Sequence, residues 1–168
     1  MSLGMHRIIV PPAIRSLTTL RHLLAKAAEH CEARTIDPSA LIGFRLFPDM
    51  LPLASQVRIA TDMCVLCVSR LSGTEAPKFP DDEKTFAELD ARVEKALAYV
   101  STIPPAQIDG TEKKSVTFKT RRGEVTLEGI EYVQRFVLPN VYFHTTTTYD
   151  ILRHNGVEIG KADFLGEL

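Results

Sequence analysis

Residues 53–71 read LASQVRIATDMCVLCVSRL. Apolar side chains return at Leu53, Val57, Ala60, Cys64, Cys67, Val68 and Leu71, in steps of three and four. That step is the period of an α-helix, and a stripe kept up over several turns has to be buried against other helices. The spacing predicts a helix from about residue 49 to 71, ended by Gly73, in a helical bundle.

The flanking sequence repeats the pattern. Ile14, Leu17, Leu20, Leu24, Ala27 or Ala28, and Cys31 predict a helix over about 12–33, with Pro11-Pro12 at its entry. Phe86, Leu89, Val93, Ala96 or Leu97, and Val100 predict another over about 81–102, with Asp81 and Asp82 as negative charge at its start. Glu88 and Arg92, four residues apart, read as a pair on its surface. A last helix runs from Pro139 to Asn155, its stripe carried by Leu138, Val141, Thr145, Thr148 or Tyr149, and Leu152, and Asn155-Gly156 ends it. Residues 129–137 are helix-compatible, and Pro139 either kinks that helix or starts a new one.

The period changes between the last two helices. Val116, Phe118 and Thr120 alternate with polar residues, as do Val125 and Leu127 after Arg121-Arg122-Gly123. This is a β-hairpin, and it must pack on the helices to be stable. The expected fold is therefore mainly all-α: a four-helix bundle with a small β-hairpin inserted before the last helix, in one domain spanning residues 1–168. The tail from Glu158 to Leu168 is expected to lie on the body or on a second subunit.

The chain has 168 residues, 45% of them hydrophobic and 24% charged, which suits one soluble core that needs no disulfide. Twenty Lys and Arg against 21 Asp and Glu leave a net charge of -1. That excludes a broad basic grip on nucleic acid and a polybasic membrane anchor. Lys113, Lys114, Lys119, Arg121 and Arg122 do cluster, and read as a solvated hairpin rim in preference to a phosphate site. Met1 to Val10 lack a signal-like apolar run, and no stretch reaches the ~20 apolar residues of a membrane span. With three cysteines (Cys31, Cys64, Cys67), the expected compartment is the reduced cytoplasm.

Sites in bundles are built from polar side chains on apolar stripes. Gln56 sits at the edge of the stripe quoted first. His144 and Thr148, four apart, share a face of the last helix, with Tyr149 and Arg153 on its flanks. These five define the expected ligand pocket, with His144 as its acid, base or metal ligand. The Cys64-x-x-Cys67 pair falls inside a helix among Val65, Leu66 and Val68. Two buried small hydrophobes fit it better than a redox pair, which needs a helix start. Thr145 to Thr148 form an unusual threonine run for a helix, suited to packing or to lining a pocket. Arg45, Asp49, Asp62, Arg70 and Arg92 are polar residues that could pair between helices, and spacing does not rank them.

Three stretches carry a family resemblance. They are Phe44 to Leu53 (FRLFPDMLPL) with Gln56-Val57, Glu83 to Arg92 (EKTFAELDAR), and Tyr142-Phe143-His144 with Tyr149 through Val157 and Gly160 to Leu165. Together they resemble the family called domain of unknown function 1993, a branch of the DinB/YfiT-like superfamily. The resemblance implies a four-helix bundle and a homodimer. It also implies a divalent-metal site with one His on the second helix and two His four apart on the last. Some members of that superfamily transfer thiols or hydrolyse bonds. His144 matches the first of the paired histidines, Thr148 stands at the second, and Gln56 at the helix-two position. The expected protein is thus a homodimer that binds a small-molecule ligand or a partner around a degenerate metal site. The alternative is a metal-dependent thiol transferase or hydrolase. The residues themselves require no cofactor; the resemblance admits zinc or nickel at His144.

Overall fold

The computed structural model describes residues 4–166. Among the described residues four long helices form the body: α1 (Met5–Arg34), α3 (Leu53–Ser72), α4 (Phe86–Ser101) and α7 (Leu138–His154). Short helices α2 (Pro38–Ile42), α5 (Pro105–Ile108) and α8 (Lys161–Leu165) lie between or after them. Strands β1 (Ser115–Thr120) and β2 (Gly123–Glu128) pair antiparallel, Val116 opposite Leu127 and Phe118 opposite Val125. The hairpin buries Val116 and Phe118 against the helices, as an isolated two-stranded ribbon requires. The expected fold is the observed one. No helix among the described residues is long and apolar enough to cross a membrane.

Side-chain pairs fix the helix directions. Arg21 meets Asp90 while His6 meets Ile103, so α1 and α4 are antiparallel. Gln56 meets His144 and Arg70 meets Tyr132, so α3 and α7 are antiparallel. Asp62 meets Arg92 and Thr74 meets Tyr99, so α3 and α4 run in the same direction. A parallel pair cannot be joined by a tight turn. Residues 73–85 accordingly travel back along the bundle as an extended strap.

That strap overturns part of the sequence reading. Asp81 and Asp82 precede α4 and are not in it; its N-cap is Thr85, whose hydroxyl accepts from Glu88 N while Glu88 Oε2 accepts from Thr85 N. This Thr-x-x-Glu box is a stronger start signal than two aspartates. It also employs Glu88, so the expected Glu88–Arg92 pair does not form. Arg92 instead points inward, 4% exposed. It donates to Asp62 at 2.6 Å, Asp81 at 2.6 Å and Glu83 at 2.8 Å. Phe79 lies under its guanidinium at 4.3 Å. Arg58 holds the other oxygen of Glu83 at 2.6 Å. Burial works against the Glu83 charge, but the bonds from Arg92 and Arg58 outweigh it and hold its carboxyl below the ordinary range. At Asp62 burial wins over Arg92, and the carboxyl is pushed up.

Two helices start earlier or continue longer than proline suggested. α1 begins at Met5, with Pro11 and Pro12 inside it. The prolines remove donors for the carbonyls of Arg7 and Ile8. Tertiary packing outweighs this: Met5, Ile9, Val10 and Ala13 are buried, and Asp109 Oδ1 accepts from His6 N at 2.9 Å in the open first turn. Gly4 allows that approach, because a Cβ there would lie 2.5 Å from Asp109 Oδ1. At the other end α6 (Gly129–Glu131), a π-helical segment (Tyr132–Val137) and α7 run on without a break. The wider π turn makes room for the Pro139 ring, and Asn140 Nδ2 donates to the Phe136 carbonyl at 2.7 Å. Pro139 therefore neither ends nor begins the helix.

The described part of the tail lies on its own chain. Thr19 Oγ1 donates to Phe164 O, His22 meets Asp163 at 2.7 Å, and Phe164 packs edge-on to Tyr149. Glu167 and Leu168 lie outside the described residues. Cys64 and Cys67 are 1% and 0% exposed, and burial pushes the Cys64 thiol up to about 12. Both are inert packing residues, and neither is expected to react with a maleimide before denaturation.

Removing Arg92 leaves Asp62 without its partner and the buried Glu83 with Arg58 alone. Arg92→Ala is expected to destabilise the fold by about 3–5 kcal/mol in urea unfolding. A loss below about 1 kcal/mol, the value of an exposed pair, would contradict the buried role.

Candidate functional site

His144 lies in the second turn of α7, on the side turned toward the first turns of α3. Its Nδ1 and Gln56 Oε1 are 2.6 Å apart. The Gln56 amide is oriented from behind, because its Nε2 donates to the Leu51 carbonyl at 2.9 Å. An acceptor oxygen at Nδ1 requires Nδ1 to carry the proton. Nε2 then holds the lone pair, and it has no hydrogen-bond partner among the described residues. Gln56 is 1% exposed, so the pair is rigid on one side and half-buried on the other.

Burial pushes the His144 pKa down from 6.5 to about 4. Gln56 contributes little to the shift, because its oxygen accepts from Nδ1–H whether or not Nε2 is protonated. The result at neutral pH is an uncharged imidazole with one acceptor nitrogen.

The other expected site residues divide by helical position. Thr148 is one turn on and on the same face, but fully buried, and its hydroxyl donates to the His144 carbonyl at 2.9 Å. Thr147 bonds back to Phe143 in the same way. The run of threonines is thus mainly packing, with Thr145, Thr147 and Thr148 buried and Thr146 exposed. Tyr149 lies about 140° around the helix from His144 and Arg153 about 180°, so neither shares its face. Tyr149 packs on Phe164, and Arg153 is exposed. Asp62, one of the polar residues that could pair between helices, is bound to Arg92.

Sequence reasoning missed the aromatic rim. Phe143 meets the His144 ring edge-on at 5.2 Å and is 56% exposed. Phe44 lies against His154 of α7 at 5.9 Å, the Leu51 carbonyl accepts from Gln56 of α3, and Phe47, between them in sequence, is exposed. The signal was present in the aromatic neighbours of His144 and in the Phe-Pro step at 47–48. Two shallow grooves, about 610 and 530 Å³, lie elsewhere, on the α1–α4 side around Ala28 and Phe86. None of the five expected site residues lines either. Among the described residues no group of three or more His, Cys, Asp or Glu side chains gathers to hold a metal.

A parallel α3–α4 pair joined by a long strap, with α1 and α7 antiparallel to it and a hairpin before the last helix, defines a DinB-like bundle. The chain belongs to the family described as Domain of unknown function (DUF1993), which it matches over residues 5–165. Among solved structures it is similar to a DinB family member protein from Shewanella denitrificans. The two are 36% identical, with a TM-score of 0.87 over 97% of this chain and 92% of that one. No curated protein matches the chain.

A depressed imidazole pKa has a definite sign in stability. As pH falls below 6.5 the unfolded chain takes up a proton at this residue and the folded chain does not, until about pH 4. The His144 contribution to stability is therefore expected to fall between those pH values and to change no further below them, and His144→Gln should remove that share of the slope. An NMR titration of the His144 ring is expected to show a midpoint near 4; one near 6.5 would mean that the ring is solvated.

Proposed function

We propose that this protein is a dimeric bundle that binds a small ligand or a partner at His144, around a metal site reduced to one good donor. The observation that supports this is the His144–Gln56 hydrogen bond of 2.6 Å. It employs Nδ1 and the amide oxygen on each other and leaves Nε2 as the one strong acceptor. Thr148, at the position of a second histidine, spends its hydroxyl on its own helix. Amide and hydroxyl oxygens are poor zinc or nickel ligands beside imidazole, so these residues do not fit a catalytic ion. They suit a ligand that offers a hydrogen-bond donor to Nε2 and an apolar surface to Phe143.

Metal analysis of protein purified without an affinity tag, followed by zinc and nickel titration, tests the reading. We expect no stoichiometric metal. One equivalent of tight metal that disappears in His144→Ala would favour instead a metal-dependent thiol transferase or hydrolase. Light scattering is expected to give about twice the chain mass of 18.7 kDa. A mass of one chain would remove the dimer from the proposal.

A further inference from the structure

The arginines that leave the surface in this chain are Arg21, Arg58, Arg70 and Arg92. Arg21 meets Asp90 and Glu94, Arg58 meets Glu83, and Arg92 meets Asp62, Asp81 and Glu83. Arg70 meets no carboxylate among the described residues. Its Nη1 donates to the Tyr132 hydroxyl at 2.6 Å. Its guanidinium carbon lies 5.7 Å from the centre of the Phe118 ring and 5.6 Å from that of Tyr132. A half-buried guanidinium is thus held by one neutral hydrogen bond and two ring faces, with no counter-charge.

The remaining nitrogens decide what the group can do. Nε and Nη2 of Arg70 make no hydrogen bond within the described residues. Neither belongs to the enclosed, unpartnered atoms, which are Arg92 Nε and Thr145 Oγ1. That edge therefore reaches the surface. It is the edge whose two parallel N–H groups match two oxygens of a carboxylate or phosphate. The ordinary role of a basic residue at a helix end, serving the last carbonyls, is taken by Lys114, whose Nζ donates to Leu71 O at 2.8 Å. Lys114 also adds a second positive charge beside the same turn.

The parts are brought together by three separate elements. Arg70 comes from the last turn of α3, Phe118 from β1, and Tyr132 from the start of the π-helical segment. Tyr132 is fully buried, and burial pushes its phenol up to about 12, so no phenolate offsets the Arg70 charge. Gln56 lies 14 residues earlier on α3, roughly 21 Å along the helix. The place is distinct from His144.

We propose that Arg70, steadied by Tyr132 and Phe118, binds an oxyanion of a small molecule, a carboxylate or a phosphate, at the junction of α3, the hairpin and the π-helical segment. Tyr132 acts as a positioning residue; Arg70 makes the contact.

Titration calorimetry with inorganic phosphate, and separately with benzoate, tests this at constant ionic strength set with chloride. Saturation at one anion per chain is expected for at least one probe, and which probe saturates identifies the source of the oxyanion. Arg70→Lys, which keeps the charge and loses the two-pronged edge, is expected to weaken that binding by about tenfold or more. Tyr132→Phe should weaken it less. His144→Ala should leave it unchanged, which separates this site from the proposed one. The Arg70 Nε–H signal of the native protein should shift with the same saturation curve, a readout independent of any variant's folding. No saturation by either anion, a stationary Arg70 signal, or unchanged affinity in a folded Arg70→Lys protein would overturn the proposal.

Discussion

Arg92 brings a positive charge into the interior between α3 and α4, and three carboxylates meet it there, one from α3 and two from the returning strap. Replacing such a cluster with well-packed apolar residues is often neutral for stability. Its physical consequence here is specificity of path. A guanidinium that has left water needs its partners, so residues 73–85 must run back along the bundle before α4 begins. That makes α4 parallel to α3 and leaves α7 to pack antiparallel on α3. The opposition of His144 and Gln56 follows from this arrangement.

The continuous final helix carries a second constraint. In a plain α-helix, Tyr132 and His144 would point about 120° apart. The π-helical segment acts as one inserted residue and returns them to nearly one side. Both therefore address α3, Tyr132 near its end at Arg70 and His144 near its start at Gln56. One irregularity thus absorbs Pro139 and aligns the two polar contacts on that interface. The two contacts differ in electrostatics. At one end burial makes an imidazole neutral, and at the other two aromatic rings hold a guanidinium.

Much of the bundle was legible because burial imposes a period. Leu53 to Leu71, Leu17 to Cys31 and Phe86 to Val100 read as helices for that reason, and the alternation around Val116 and Phe118 marked the hairpin. The errors sat where a local rule was outweighed by distant contacts. Pro11-Pro12 suggested a helix start, but Met5 and Ile9 had core to fill and His6 had Asp109 to cap it. Asp81-Asp82 suggested a helix start as well, but they belong to the strap. At the site, the stripe marked His144 and Gln56. Tyr149 and Arg153 were grouped with them by nearness in sequence, which a helix does not preserve around its circumference.

By itself the sequence determined the class of fold, the positions of the long helices, the hairpin and the burial of Cys64 and Cys67, because apolar periodicity and turn chemistry are properties of neighbouring residues. Only the tertiary structure decided that α4 runs with α3, that Arg92 takes Asp62, Asp81 and Glu83 in place of Glu88, that Gln56 fixes the His144 tautomer, and that Arg70 keeps an unpaired edge. Each of these depends on which side chains meet from segments far apart in the chain, and no local spacing encodes that choice.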